Sequence, residues 1–219
     1  EYIQKLNVKF LPAVNWVERG QYTPGNSVPR YHILWGASLR LINQIIAVLK
    51  PYEGNQLNYL FSSKVTSLIK TNNKVVGCRY LHGKETIDLY AEQTVLACGG
   101  YTGNINLVKQ NWPKDWGKAP QILLNGCHPS NDGALHQAVE EVGGKVTHLS
   151  HIYPYAAGIH KPNAEFENQG LSLIPCKSAL WLNHKGERIG PTPLVTGFDT
   201  HQLCKDLSLL DIPHSWQIL

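Results

Sequence analysis

What this chain lacks narrows it before any motif is read. It has no methionine and begins at Glu1, whereas an ordinary globular sequence of this size holds several methionines. An internal piece of a longer protein is therefore expected. No apolar run is long enough to cross a bilayer, and the first residues carry no secretory pattern, so neither a membrane span nor a signal peptide is expected. There is no C-x-x-C. Cys78, Cys98, Cys127, Cys176 and Cys204 are widely spaced and odd in number, a pattern that fits free thiols in a reducing, cytoplasmic compartment. Cys127-His128 has no second pair at ligand spacing, so no metal site is expected. Basic runs are absent too: the net charge is +4, but the 20 Lys and Arg residues are scattered, which argues against nucleic acid as a partner. Repeats and low-complexity tracts are also missing.

What is present is an ordinary globular composition, 42% hydrophobic and 16% charged over 219 residues. That is enough chain for one large domain or two small ones. The organising stretch is V-L-A-C-G-G-Y-T-G-N at 95–104. Its apolar half has the length of one buried strand. Gly99-Gly100 lets the backbone turn sharply or lie against a flat ligand. Thr102 or Asn104 can cap a helix starting near Ile105. The same residues also fit a plain tight turn in any α/β protein.

Taken in order, residues 1–10 read as the end of a helix and 11–30 as a loop broken by Pro12, Gly20, Pro24, Gly25 and Pro29. Trp35-Gly36 precedes a helix over Ala37–Leu49 with a wide apolar face, stopped by Pro51. Residues 57–61 and 64–70 read as strands. A turn at 71–74, a strand at 75–81, a turn at His82-Gly83 and a strand at 86–90 make an antiparallel meander that leads to a strand at 93–98. Residues 111–121 are irregular. A second helix is expected over 131–142, capped by Asn131 or Asp132 and ended by Gly143-Gly144. Strands are expected at 145–149, 171–174 and 179–183, with a hairpin turn at 183–186. Residues 148–160 pack histidines and tyrosines into a loop. A boundary near Leu149 divides a cofactor-side part, 1–149, from a substrate-side part, 150–219. The fold class expected is α/β, passing to α+β in the second part.

The order of these parts, with the Gly-pair segment, the Asn131-Asp132-Gly133 helix start and W-L-N-H-K-G-E-R-I at 181–189, resembles the FAD-dependent succinate dehydrogenase/fumarate reductase flavoproteins and 3-ketosteroid dehydrogenases. Within that family, N-W-V-E-R-G (15–20), G-N-S-V-P-R-Y-H-I-L-W-G (25–36), S-A-L-W-L-N-H-K-G-E-R (178–188) and P-L-V-T-G-F-D-T (193–200) are similar to a bacterial group of FAD-binding dehydrogenases. The resemblance implies part of a Rossmann-like FAD-binding domain with an antiparallel meander, followed by part of a capping domain. The fingerprint G-x-G-x-x-G, which seats a pyrophosphate on a helix N-terminus, is not in this sequence. The family's C-terminal segment is also lacking. A chain truncated on both sides, binding FAD poorly if at all on its own, is the expectation.

The resemblance puts Trp35 and Gly36 near the flavin and the Val65 backbone near adenine. Gly99, Gly100 and Asn104 become cofactor contacts, and Asp132-Gly133 a helix start turned towards flavin or substrate. Structural readings stand beside these: Trp35 as core, Val65 as any β-branched strand residue, and Asp132 as a plain N-cap. For the proton that accompanies hydride transfer, the densest cluster is His151, Tyr153 and Tyr155, and a structural role fits it as well. An arginine that serves fumarate reductases as proton donor has no counterpart at 191–200. A dicarboxylate substrate is thus disfavoured. With Trp181 nearby, an apolar and even polycyclic substrate is expected. Two functions compete: an FAD-dependent dehydrogenase acting on CH–CH bonds, with its electron acceptor and oligomeric state open, and a non-catalytic binding module kept from the same fold.

Overall fold

The computed structural model describes residues 2–12, 32–156, 158–173, 180–189, 200–212 and 214–218. The chain divides into two compact units, one running through Phe61 and the other starting at Ser62.

In the first unit, a single helical turn, α1 (Tyr2–Lys5), precedes strand β1 (Phe10–Pro12). The helix expected over 1–10 is therefore only its first half. β1 pairs antiparallel with β2 (His32–Leu34), Phe10 opposite Leu34 and Pro12 opposite His32. A two-stranded ribbon tolerates this proline because, among the described residues, each strand keeps a free edge. Residues 13–31, which hold most of the expected loop, lie outside the described residues. Gly36 adopts φ +84° and opens α2 (Ala37–Leu49), whose bounds are those the apolar spacing predicts. Pro51 follows in a 3₁₀ turn, Lys50–Tyr52, and ends it. The apolar stripe is present but uncovered: Leu39, Ile42 and Ile46 are exposed. The strand expected at 57–61 is not formed; only Leu57 makes a bridge, to Glu53.

The second unit is built on the meander. β3 (Ser63–Thr71), β4 (Lys74–His82) and β5 (Glu85–Tyr90) form one antiparallel sheet in that order. Asn72 and Asn73, at φ +48° and +63°, form the turn between the first two. Both lie in the left-handed region that suits the twist of a two-residue hairpin and that asparagine tolerates. Arg79 and Asp88 sit opposite each other across β4 and β5 and make a two-pronged ion pair at 2.6 and 2.9 Å. A bulge at Thr66, whose hydroxyl donates to the Arg79 carbonyl, breaks the register after Val65.

The chain leaves β5 without making the strand expected at 93–98. Ala91 still donates to the Val76 carbonyl, but Val95 is 86% exposed and Leu96 41%. An apolar run becomes a strand only where another strand lies beside it, and none does among the described residues. The Gly pair then leads into α3 (Ile105–Gln110), capped as expected by Asn104, whose side chain accepts from Leu107 N. A 3₁₀ turn, Lys114–Trp116, interrupts the irregular stretch. The second expected helix is shorter than its pattern: α4 is Ala134–Glu141, because Gly133 at φ +77° occupies the N-cap and Gly143 turns back at its end. Residues 145–149 do not form a strand.

Further on, β6 (Gly158–His160) pairs with β7 (Gly170–Ser172), and β8 (Leu180–Asn183) pairs with β9 (Ser215–Ile218) across α5 (Thr200–Ser208). The expected turn at 183–186 is present, with Gly186 donating to the Asn183 carbonyl. Trp181 belongs to the core, 3% exposed and packed with Ile189, Leu203 and Leu207. It is therefore not the substrate-facing aromatic that the sequence suggests. A second core cluster gathers Tyr101, Val108 and Ile152. Among the described residues every sheet is antiparallel, and no helix is long and apolar enough to cross a membrane.

Candidate functional site

Three segments of the second unit converge: the start of β3, the turn 98–104, and the loop 125–133 that leads into α4. Each has a local reason for its shape. Gly99 sits at φ +73°, and a Cβ there would come within 2.7 Å of the Asn131 side chain. Gly103 has no room for a side chain either, since its Cβ would lie 2.4 Å from the His128 carbonyl oxygen and 3.0 Å from that of Asn131. The two segments are thus in backbone contact, and Gly103 N donates to Asn131 O at 3.0 Å. This is the close approach for which a chain uses glycine.

Asn125 fastens the contact. It is the buried polar residue of the region, 4% exposed. Its Nδ2 donates to the Gly103 carbonyl at 2.9 Å, while its Oδ1 accepts from Cys127 N at 2.8 Å. Its own backbone pairs with Asn168 and Gly170, which adds the approach to β7. A buried amide satisfied on both sides specifies one arrangement of the segments it joins.

Two cavities open on this junction. The smaller, about 200 Å³, is lined by Lys64, Val65, Cys98, Gly100, Asp132, Gly133 and His136, among others. The larger, about 560 Å³ and more polar, is lined by Gly103, Asn104, Lys109, Gln121 and Asp132. Asp132 faces both. Its Oδ2 accepts from Lys64 Nζ at 2.9 Å and its Oδ1 from Ala134 N at 2.9 Å. The Lys64 hydrogen bond first, then the Ala134 amide, holds this carboxyl below the ordinary carboxylate range. Lys70 repeats the arrangement at the far end of α4 by donating to the Val142 carbonyl at 2.6 Å. Strand β3 therefore grips the helix at both termini, a cation at the end where the helix dipole favours one.

A carboxyl whose folded pKa is depressed contributes stability above its unfolded value, near 3.9, and loses it as pH falls through the folded value. Asp132→Asn is accordingly expected to lower Tm by about 2–4 °C at pH 7, as befits a partly exposed pair. The difference from the wild type should vanish once acid has protonated Asp132. Thermal melts between pH 7 and 2 measure this.

Of the residues expected from sequence, Val65, Gly100, Asp132 and Gly133 line the smaller cavity together, and Asn104 joins Asp132 at the larger. Gly99 supports the turn behind Gly100. Trp35, 60% exposed, and Gly36 lie in the first unit. His151, Tyr153 and Tyr155 line neither cavity. They occupy an exposed loop in which the His148 and His151 rings meet at 5.0 Å and the Tyr153 and Tyr155 rings at 5.9 Å. Sequence reasoning missed Lys64, Asn125 and His136. All three act through partners distant in sequence and carry no local signal.

The sequence model of a family described as "FAD binding domain" matches residues 5–206. A KsdD-like steroid dehydrogenase of Mycobacterium tuberculosis is 29% identical over 236 residues, spanning 100% of this chain and 41% of that protein. A KsdD-like steroid dehydrogenase of Mycolicibacterium smegmatis is 28% identical, again over 100% of this chain and 43% of its own length. The chain thus spans less than half the length of these relatives. Among solved structures, the 3-ketosteroid delta1-dehydrogenase of Sterolibacterium denitrificans in complex with 1,4-androstadiene-3,17-dione aligns with a TM-score of 0.48 and 19% identity, over 70% of this chain and 27% of that one. Since the family match runs through most of its length, the chain belongs to the FAD-binding domain family.

Proposed function

We propose that this chain is the central part of an FAD-dependent oxidoreductase that dehydrogenates CH–CH bonds of an apolar, ketosteroid-like substrate. The observation that carries the reading is the smaller cavity, which four residues expected to touch the cofactor line together in a chain of this family. The residues suit FAD. Gly100 opens on free space: among the described residues, its own chain neighbours aside, no heavy atom lies within 4 Å of where its Cβ would be. A flat ring system can therefore lie against bare backbone. The Asp132 carboxylate, kept ionised, offers an acceptor for hydroxyl or amino hydrogens. At about 200 Å³ the cavity is smaller than the ~300–1,000 Å³ of whole-ligand sites, so it holds one part of the cofactor only.

Bound FAD would supply the hydride acceptor. The chain's own share is to orient and to move a proton. Trp35 and Gly36 would lie near the flavin. His151, Tyr153 or Tyr155 would take the α-proton that leaves as the hydride departs. The substrate-side part begins near Leu149 and continues the Rossmann-like part as a capping domain. An electron acceptor, not named by these residues, would complete turnover, and the reducing cytoplasm is the expected compartment.

The test is the visible spectrum of the complete gene product before and after anaerobic addition of a 3-ketosteroid. Flavin bands that bleach are expected. Bands that persist would discard the steroid substrate. Absence of flavin bands would favour a non-catalytic module.

A further inference from the structure

Tyr101 joins the two parts of the proposed site that no motif connects. It follows Gly100 directly, and its side chain turns inward, leaving the residue 7% exposed. A Cβ on Gly133 would lie 2.8 Å from Tyr101 Cβ, so Tyr101 is seated against the start of α4. Its ring meets that of His136, a cavity residue, edge to face at 6.1 Å. The far end of the side chain leads away from the cavity. The ring clusters with Val108 and Ile152, and the hydroxyl donates to the Leu149 carbonyl. Ile152 stands between His151 and Tyr153, and Leu149 is two residues ahead of His151. Burial pushes the Tyr101 hydroxyl above the ordinary tyrosine range, so it remains a donor at neutral pH.

We propose that Tyr101 is a positioning residue, fixing the loop 151–155 at a set distance from the wall made by Gly100 and Gly133. The inference rests on the dehydrogenase reading above. A phenylalanine would bury nearly the same area and keep the edge-to-face contact. The hydroxyl adds what a phenylalanine lacks, one directional bond at the start of the loop. Proton transfer concerted with hydride loss is sensitive to such placement, since an error of about 1 Å can cost up to ~100-fold in rate.

The experiment is single-turnover flavin reduction by a saturating 3-ketosteroid in the complete gene product, with steady-state KM measured alongside. It compares the wild type, Tyr101→Phe, Tyr153→Phe, His151→Ala, and Tyr101→Phe combined with each of the other two. Tyr101→Phe is expected to keep its flavin bands and to hold KM within about twofold, while reduction slows by about tenfold to a hundredfold. In the slower of the Tyr153→Phe and His151→Ala backgrounds it should add no further slowing, the mark of groups acting as a unit. An unchanged rate in Tyr101→Phe, slowing that multiplies in the double variants, or loss in step with lost flavin would overturn the inference. Failure of the underlying reading shows earlier and separately, as a wild type whose flavin is absent or does not bleach.

Discussion

Gly103→Ala is expected to destabilise the chain by about 3–5 kcal/mol and, in the complete gene product, to abolish cofactor binding. The added methyl would sit 2.4 Å from one backbone carbonyl and 3.0 Å from another. Neither can swing aside as a side-chain tip would, so the two segments must part. Overpacking of this kind costs roughly 1–3 kcal/mol. Parting also strains the bonds from Gly103 N to Asn131 and from Asn125 to the Gly103 carbonyl, each worth about 1 kcal/mol. The control is Gly100→Ala, three residues earlier. There, among the described residues beyond its chain neighbours, the methyl meets no heavy atom within 4 Å, so Tm should hold, yet it protrudes where FAD is expected to lie and should weaken binding. Denaturant midpoints and flavin content, measured on both variants, separate the two effects. If Gly103→Ala melts like the wild type, the close backbone contact does not fix this junction.

Trp116→Ala is expected to cost about 3–5 kcal/mol, the usual range for removing a fully buried large aromatic side chain. Trp116 is 1% exposed and stands between Trp112, 5.5 Å away edge to face, and His201, 4.7 Å away. It is where the turn Lys114–Trp116 meets α5, a helix more than eighty residues later in the chain. The nearby Lys205–Asp115 ion pair at 2.6 Å holds the Asp115 carboxyl below its ordinary range, but it is solvent-exposed and cannot replace the ring. Against a total stability of about 5–15 kcal/mol, the loss leaves little reserve. Urea titration should show a lower midpoint with an unchanged slope. A shift under about 1 kcal/mol would mean that α5 is held by other contacts.

The parts of this fold that could be read in the sequence are those whose causes are local. The turn at Asn72-Asn73, the Asn104 cap, the glycines after α4 and the stripe of α2 each act within a few residues, so a linear reading finds them. The strand expected at 93–98 failed for the opposite reason. Its apolar run says what Val95 and Leu96 could do beside a neighbour, but pairing is decided by what lies alongside. β8 shows the same limit, because its turn was legible while its partner β9 comes more than thirty residues later. Of the residues lining the smaller cavity, Gly100 and Gly133 were legible because glycine announces special backbone, and Asp132 because it precedes the start of α4. Lys64, Tyr101, Asn125 and His136 draw their roles from long-range contacts, and their residue types alone say nothing of it.

The Asn125 hydrogen bonds bear also on the chemical ageing of the polypeptide. Asn125 precedes Gly126, the pairing most prone to spontaneous deamidation, in which the following backbone nitrogen attacks the side-chain carbonyl. Asparagine is among the thermolabile residues for this reason. In the folded chain that carbonyl is engaged by Cys127 N and the amide nitrogen by Gly103, which holds the side chain out of the cyclic geometry the attack needs. Unfolded, the same dipeptide has no such restraint. Each excursion from the native state therefore risks turning this amide into a carboxylate that can no longer donate to Gly103, and the protein's shelf life becomes a measure of how rarely the junction opens.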